Sequence, residues 1–154
     1  MKRNGWIVLG ALVGAVAGAG AAVAAAAAAK PVTMVPADLK WAAIMPDAGT
    51  ASPMVAPLFG DAKKGPVGFF IKLPAGSPGA MHTHTAGYHA VVISGTITNA
   101  ADGETAPKAM PAGSYWYQPG KAPHITSCAP SADCVAYIYV EGKFDYFPYP
   151  VKPK

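Results

Sequence analysis

Arginine is almost missing from this 154-residue chain: Arg3 is the single one, and every later cation is a lysine. The guanidinium group is the flat, two-pronged donor that recognises phosphate and base edges. Its absence beyond residue 3, with no cluster of lysines in its place, argues against a nucleic-acid partner. Cysteine is scarce as well, with only Cys128 and Cys134. No segment beyond residue 30 has a long helical period with caps, which speaks against a helical bundle. There is no glycine-rich phosphate loop. The four histidines fall in two short segments, and that grouping leaves none for a Ser/His/Asp or Cys/His nucleophile.

What is present begins with an export pattern. Lys2 and Arg3 precede an uncharged run from Ile7 to Ala29, which ends in Ala27-Ala28-Ala29 before Lys30. A positive start, an apolar stretch and small residues at its end fit a signal peptide over residues 1–29, cleaved at an A-x-A site. The alternative is an uncleaved anchor, since the run is long enough to span a bilayer. Its second half is largely Ala and Gly, which favours cleavage. No cysteine lies near the cut to carry a lipid, and Arg3 lacks the adjacent arginine of a twin-Arg signal. Removing Lys2 and Arg3 takes the net charge from +4 to +2. The expected mature protein is therefore periplasmic or secreted, with no membrane contact after cleavage. In an oxidising compartment, two cysteines with five residues between them read as a disulfide, although a pair of free thiols is the other reading.

The mature part suits one small domain. Short apolar runs rich in Val, Ile, Phe, Tyr and Trp recur between Pro and Gly breakers: Leu39–Met45, Val67–Leu73, His89–Ile97, Ser114–Gln118, Ile125–Cys128 and Val135–Val140. These read as strands. Asn99–Gly103, Pro119–Pro123 and Ala129–Asp133 read as turns, and residues 46–57 as an irregular arm. The fold class is all-β, a sandwich or a barrel. Residues 30–60 would supply an N-terminal strand and arm, and residues 61–154 the barrel core with a C-terminal extension.

The histidines point to a metal. His82 and His84 are two residues apart, so on a strand both imidazoles share one face. His89 follows a Gly-containing stretch, and His124 lies just past the Pro119-Gly120 turn. A lone His is usually a surface or core residue. Four confined to two segments suggest one ion held by His82, His84, His89 and His124, with Fe, Zn, Cu or Ni suited to such a nitrogen-rich site. Tyr115, Trp116, Tyr117 and Gln118 alternate on the strand before His124, and one pair should face inward. Lys72 is read as exposed.

The two segments resemble the two motifs of the cupin superfamily. The first family motif is Gly, five residues, His-x-His, three or four residues, Glu, six residues, Gly. Gly76, His82 and His84 match it. Taking the four-residue spacing puts His89 in the Glu position, with five residues rather than six before Gly95. The second motif is Gly, five residues, Pro-x-Gly, two residues, His, three residues, Asn. Gly113, Pro119 and His124 match, Gly120 comes one place early, and Cys128 replaces Asn. Within the superfamily, the chain resembles exported single-domain cupins of unknown function related to anti-sigma-factor (ChrR-like) cupins.

The resemblance implies a double-stranded β-helix, a small jelly-roll-like barrel, holding a metal on the three histidines and on His89 by substitution. The aromatic, Pro-rich stretch from Lys143 to Pro150 would pack across the barrel or against a second copy in a homodimer. Three functions stay open. One is a metal-dependent enzyme such as a dioxygenase or another small-molecule oxidoreductase. The second is a non-catalytic ligand binder or sensor, and the third a fold with structural zinc only. The enzyme reading, with a small anionic or carbonyl ligand at an open metal position, is placed first.

Overall fold

A computed structural model describes residues 30–150. The expected signal peptide, residues 1–29, lies outside the described residues. The elements below fall within the unit that begins at Met34. No helix among the described residues is long and apolar enough to cross a membrane.

Eleven strands follow in chain order: β1 (Ala42–Ala43), β2 (Met54–Gly60), β3 (Val67–Leu73), β4 (His82–Thr83), β5 (Tyr88–Ser94), β6 (Thr96–Ala101), β7 (Met110–Pro111), β8 (Tyr115–Gln118), β9 (His124–Cys128), β10 (Cys134–Val140) and β11 (Phe147–Pro148). They form two antiparallel sheets, in the orders β1-β2-β3-β10-β5-β8 and β11-β4-β9-β6-β7. A turn of 3-10 helix at Pro36–Asp38 and a kinked 3-10 segment at Pro46–Ala51, broken at Gly49, complete the N-terminal arm. The architecture is the all-β class expected from the strand pattern, and it has the two-sheet cupin form that the motif resemblance implies.

Period-two alternation decides which side chains meet between the sheets. On β10, Cys134, Ala136, Ile138 and Val140 are buried, and the residues between them are half-exposed. β5 does the same with Tyr88, Ala90 and Val92. Ala90 is paired with Ile138 on one side and Trp116 on the other. A small residue between two large ones lets the inner faces interlock. The second sheet adds Ile97 and Cys128 to this core. Each such fully buried aliphatic side chain contributes on the order of 1.5–3 kcal/mol.

Three expectations change here. The run His89–Ile97 is not one strand: it breaks at Gly95, and β5 and β6 go to different sheets. Gly95 has φ 75°, and a Cβ there would lie 2.8 Å from Cys134 Sγ. Only glycine meets both demands, so an unbroken apolar pattern conceals a corner. The strand beyond it, β6, takes up residues 99–101, which read as the start of a turn. Residues 54–57, expected to be irregular, belong to β2. Pro57 is accommodated where the register of β2 against β3 shifts, as strand prolines require.

Cys128 and Cys134 are disulfide-bonded, with Cα atoms 5.8 Å apart. The bond spans the turn between β9 and β10, at the far end of β9 from His124.

Candidate metal centre

β4 and β9 lie side by side in the second sheet, with His82 directly opposite His124. His84 follows β4 by one residue. The loop leading to His82 is pinned by Cys128 N–H donating to Ser77 O at 2.9 Å and Ser127 Oγ donating to Pro78 O at 2.6 Å. The turn before His124 is tied to the first motif by Lys121 N–H donating to His84 O at 2.6 Å. The outcome is one cluster: His82, His84 and His124 have ligand nitrogens within 4.8 Å of one another. His84 and His124 are buried and His82 is half-buried.

The hydrogen bonds fix what these rings offer. Nδ1 of His82 bonds Ala80 O at 2.7 Å, Nδ1 of His124 bonds Ala122 O at 3.1 Å, and Nδ1 of His84 bonds Asp145 O. A carbonyl oxygen can only accept, so each Nδ1 carries the proton. Each Nε2 is left with its lone pair. Burial holds His82 and His84 below the usual imidazole range, and it pushes His124 down to about 4. Three neutral rings with ligand nitrogens brought together, each braced at Nδ1 by a backbone carbonyl, form a donor set suited to a transition-metal dication. Among the described residues, no carboxylate joins the group.

His89 is not brought to this cluster. Tyr88 occupies the inward position of β5, so alternation sends His89 to the opposite face. There Nδ1 lies 2.8 Å from Tyr115 Oη and Nε2 lies 3.0 Å from Glu141 Oε1. Of the four histidines expected to share one site, the structure brings three together and leaves His89 on the other face of β5. The residue that points in is Tyr88, buried, with Oη 3.2 Å from His124 Nε2. A signal for it was available. With the three-residue spacing, Tyr88 itself falls at the family's Glu position, and the motif's six residues then separate it from Gly95.

The second motif's departure has a steric cause. A Cβ on Gly120 would lie 3.1 Å from Gly87 N and still closer to Thr85 O, so the glycine is required one place early. The family's own glycine place is held by Lys121, which takes φ 64°, a left-handed conformation that costs a non-glycine residue energy.

The C-terminal stretch supplies part of the site that no motif names. Strand β11 pairs with β4, placing Phe147 opposite Thr83 and Pro148 opposite His82. Tyr146 stacks on His82 with ring centres 4.6 Å apart, and Phe144 stacks on His84 at 5.2 Å. Asp145 accepts from His84 through its carbonyl and from Thr85 N–H through its carboxylate, at 2.7 Å. Beside the triad lies a cavity of about 580 Å³, walled by Phe69, Ile71, Tyr88, Trp116 and Ile138, among others. The arm reaches it with Ile44, Met45 and Pro53. Of the aromatic quartet on β8, Trp116 and Gln118 face in, while Tyr115 and Tyr117 face out. Lys72 lies over the Trp41 ring at 4.6 Å and does not line the cavity.

Known structures resemble this fold at low sequence identity. The polyketide cyclase RemF from Streptomyces resistomycificus is 13% identical, with a TM-score of 0.65, over 80% of this chain and 88% of its own. An RmlC-like cupin from Ralstonia eutropha is 20% identical, with a TM-score of 0.60, over 77% of this chain and 73% of its own. The DMSP lyase DddQ from Ruegeria pomeroyi is 16% identical, with a TM-score of 0.61, over 77% of this chain; the match spans 64% of that enzyme's length. These likenesses show the cupin fold, and the finer tie to anti-sigma-factor cupins finds no support in them. A comparison with curated proteins found no match. Residues 33–154 match the model of a domain of unknown function, DUF4437, and the chain belongs to that family.

Proposed function

We propose that this protein is an exported metal-binding cupin. It holds one divalent transition metal through Nε2 of His82, His84 and His124, and binds a small anionic or carbonyl ligand beside that metal. The observation that carries this reading is the convergence of three imidazoles, each with Nδ1 tied to a backbone carbonyl, at the edge of an apolar cavity of about 580 Å³. Three protein ligands rather than four favour an open position over a closed structural zinc site. When bound, the metal would polarise an oxygen of the ligand as a Lewis acid. The chain itself keeps the rings neutral, orients them, and surrounds the ligand with apolar walls that exclude water. Tyr88 brings a phenol O–H to the same point.

Three neutral imidazoles leave the whole +2 charge on the dication, which favours an anionic or strongly polarised oxygen ligand. A dioxygenase-type oxidoreductase remains the leading enzyme reading. Neighbours named as a lyase and as a polyketide cyclase are consistent with a small-molecule ligand. Export is supported by the Lys2–Ala29 pattern and by the Cys128–Cys134 disulfide, which belongs to an oxidising compartment.

The test is metal analysis of the protein purified from its own cell envelope, with His82→Ala, His84→Ala and His124→Ala alongside. About one ion per chain in the native protein and strong depletion in each variant is the expected result. Full occupancy in a triple variant would overturn the assignment.

A further inference from the structure

The walls of the cavity restrict what can bind there. They contain no Asp, Glu, Lys or Arg. A charged group placed in such walls would lose its water without gaining a partner. A hydroxyl-rich ligand would leave most of its hydrogen bonds unmade. The nearby polar network is already committed. Gln118 Nε2 donates to Ala122 O at 3.0 Å, Asn99 Nδ2 to Gln118 Oε1 at 2.9 Å, and Thr126 Oγ1 to Asn99 Oδ1 at 2.7 Å. Among the described residues, one fully buried side-chain polar atom has no hydrogen-bond partner: the indole nitrogen of Trp116, in the wall beside Tyr88. Ile71 adds a second observation. It lies on the inward side of β3 between Phe69 and Leu73, both 5% exposed, yet it is only half-buried because the cavity opens beside it.

Building on the proposed metal site, we infer that the ligand is a singly charged oxygen chelator on an apolar, ring-sized body. The head meets the metal, and the body lies against Ile71, Phe69 and Ile138. Dicarboxylates and sugar phosphates are outside this class. The volume suits such a molecule, since small-molecule cavities run from about 300 to 1,000 Å³.

The experiment uses the zinc-loaded full mature chain and three probes with comparable chelating heads, followed by calorimetry: pentane-2,4-dione, 1-phenylbutane-1,3-dione and malonate. The phenyl diketone is expected to bind about tenfold more tightly than pentane-2,4-dione, because it buries a ring, and malonate more weakly than either. Ile71→Ala should reduce the advantage of the phenyl probe severalfold and leave pentane-2,4-dione within about twofold. A ratio of affinities on one preparation is insensitive to the fraction folded. Should Ile71→Ala fail to fold, the Trp116 indole N–H resonance of the unmutated protein serves instead, with a downfield shift expected on diketone binding. Equal affinities for the two diketones, tighter binding of malonate, or an unmoved indole resonance would overturn this inference and leave the metal site standing. A chain that takes up no zinc would overturn both.

Discussion

The Tyr88 hydroxyl lies 3.2 Å from Nε2 of His124. Nδ1 of that ring already gives its proton to Ala122 O, so the phenol is the donor in this bond. Burial raises the Tyr88 pKa above the ordinary phenol value, which keeps the proton in place at neutral pH. A neutral phenol thus stands at the position where the cupin motif has a carboxylate.

Exchanging that phenol for a carboxylate should reset the charge of the site. Tyr88→Glu is expected to tighten metal binding and to weaken azide binding by roughly tenfold, because one negative charge offsets part of the dication. Tyr88→Phe should keep about one metal per chain, since the three imidazoles remain. His89→Glu, on the other face of β5, should change neither property. Spectroscopic azide titration of the copper-loaded proteins measures all three. An effect at His89 equal to that at Tyr88 would contradict the assignment.

The triad should govern the pH response of the metal-free protein. His124 is held at about 4, and His82 and His84 are lowered by the same burial. The unfolded chain has histidines near 6.5, so between those values it binds more protons than the folded chain. Stability is therefore fully present above about 6.5 and is lost as pH falls toward about 4, with His124 alone contributing on the order of 3 kcal/mol. Melting temperatures of chelator-treated protein between pH 4.5 and 7.5 check this, and the expected slope is upward. Metal should also survive to lower pH than it would on ordinary histidines, because protons compete poorly for these rings.

Opening the disulfide should cost stability without touching the metal. Cys128→Ser with Cys134→Ser removes a short loop closure worth about 2 kcal/mol in the chain-entropy model. His124 lies at the other end of β9, so metal content should be unchanged. Denaturant unfolding paired with metal analysis distinguishes the two effects. Loss of metal in the double variant would show that the bridge holds the site.

Lys121→Gly should stabilise the protein. The native φ of 64° is easy for glycine and costly for lysine, and the gain is partly offset by the greater freedom of glycine in the unfolded chain. A net increase of roughly 0.5 kcal/mol is expected. Thermal unfolding reads it, and a decrease would show that the lysine side chain contributes more than its backbone strain costs.

The sequence by itself determined the class of fold and most of the histidine cluster. Short runs rich in β-branched and aromatic residues between Pro and Gly breakers mark Val67–Leu73 and Val135–Val140 as strands whichever sheet they join, because that preference is local. The His82-x-His84 pair is legible for the same reason, and the Cys128–Cys134 bridge because so short a loop confines its ends. Tertiary structure decided what depends on approach between distant segments. Gly95 turns a continuous apolar run into two strands because Cys134 leaves no room for a Cβ. The inward face of β5 goes to Tyr88 rather than His89, since the ladder with β10 and β8 sets which parity meets the core. Asp145, Phe144 and Tyr146 brace the imidazoles from about sixty residues away, and no local pattern in Lys143–Pro150 records where that segment will lie. The apolar cavity likewise arises from β3, β8, β10 and the arm together, as an enclosed volume is a property of the packing of all its walls.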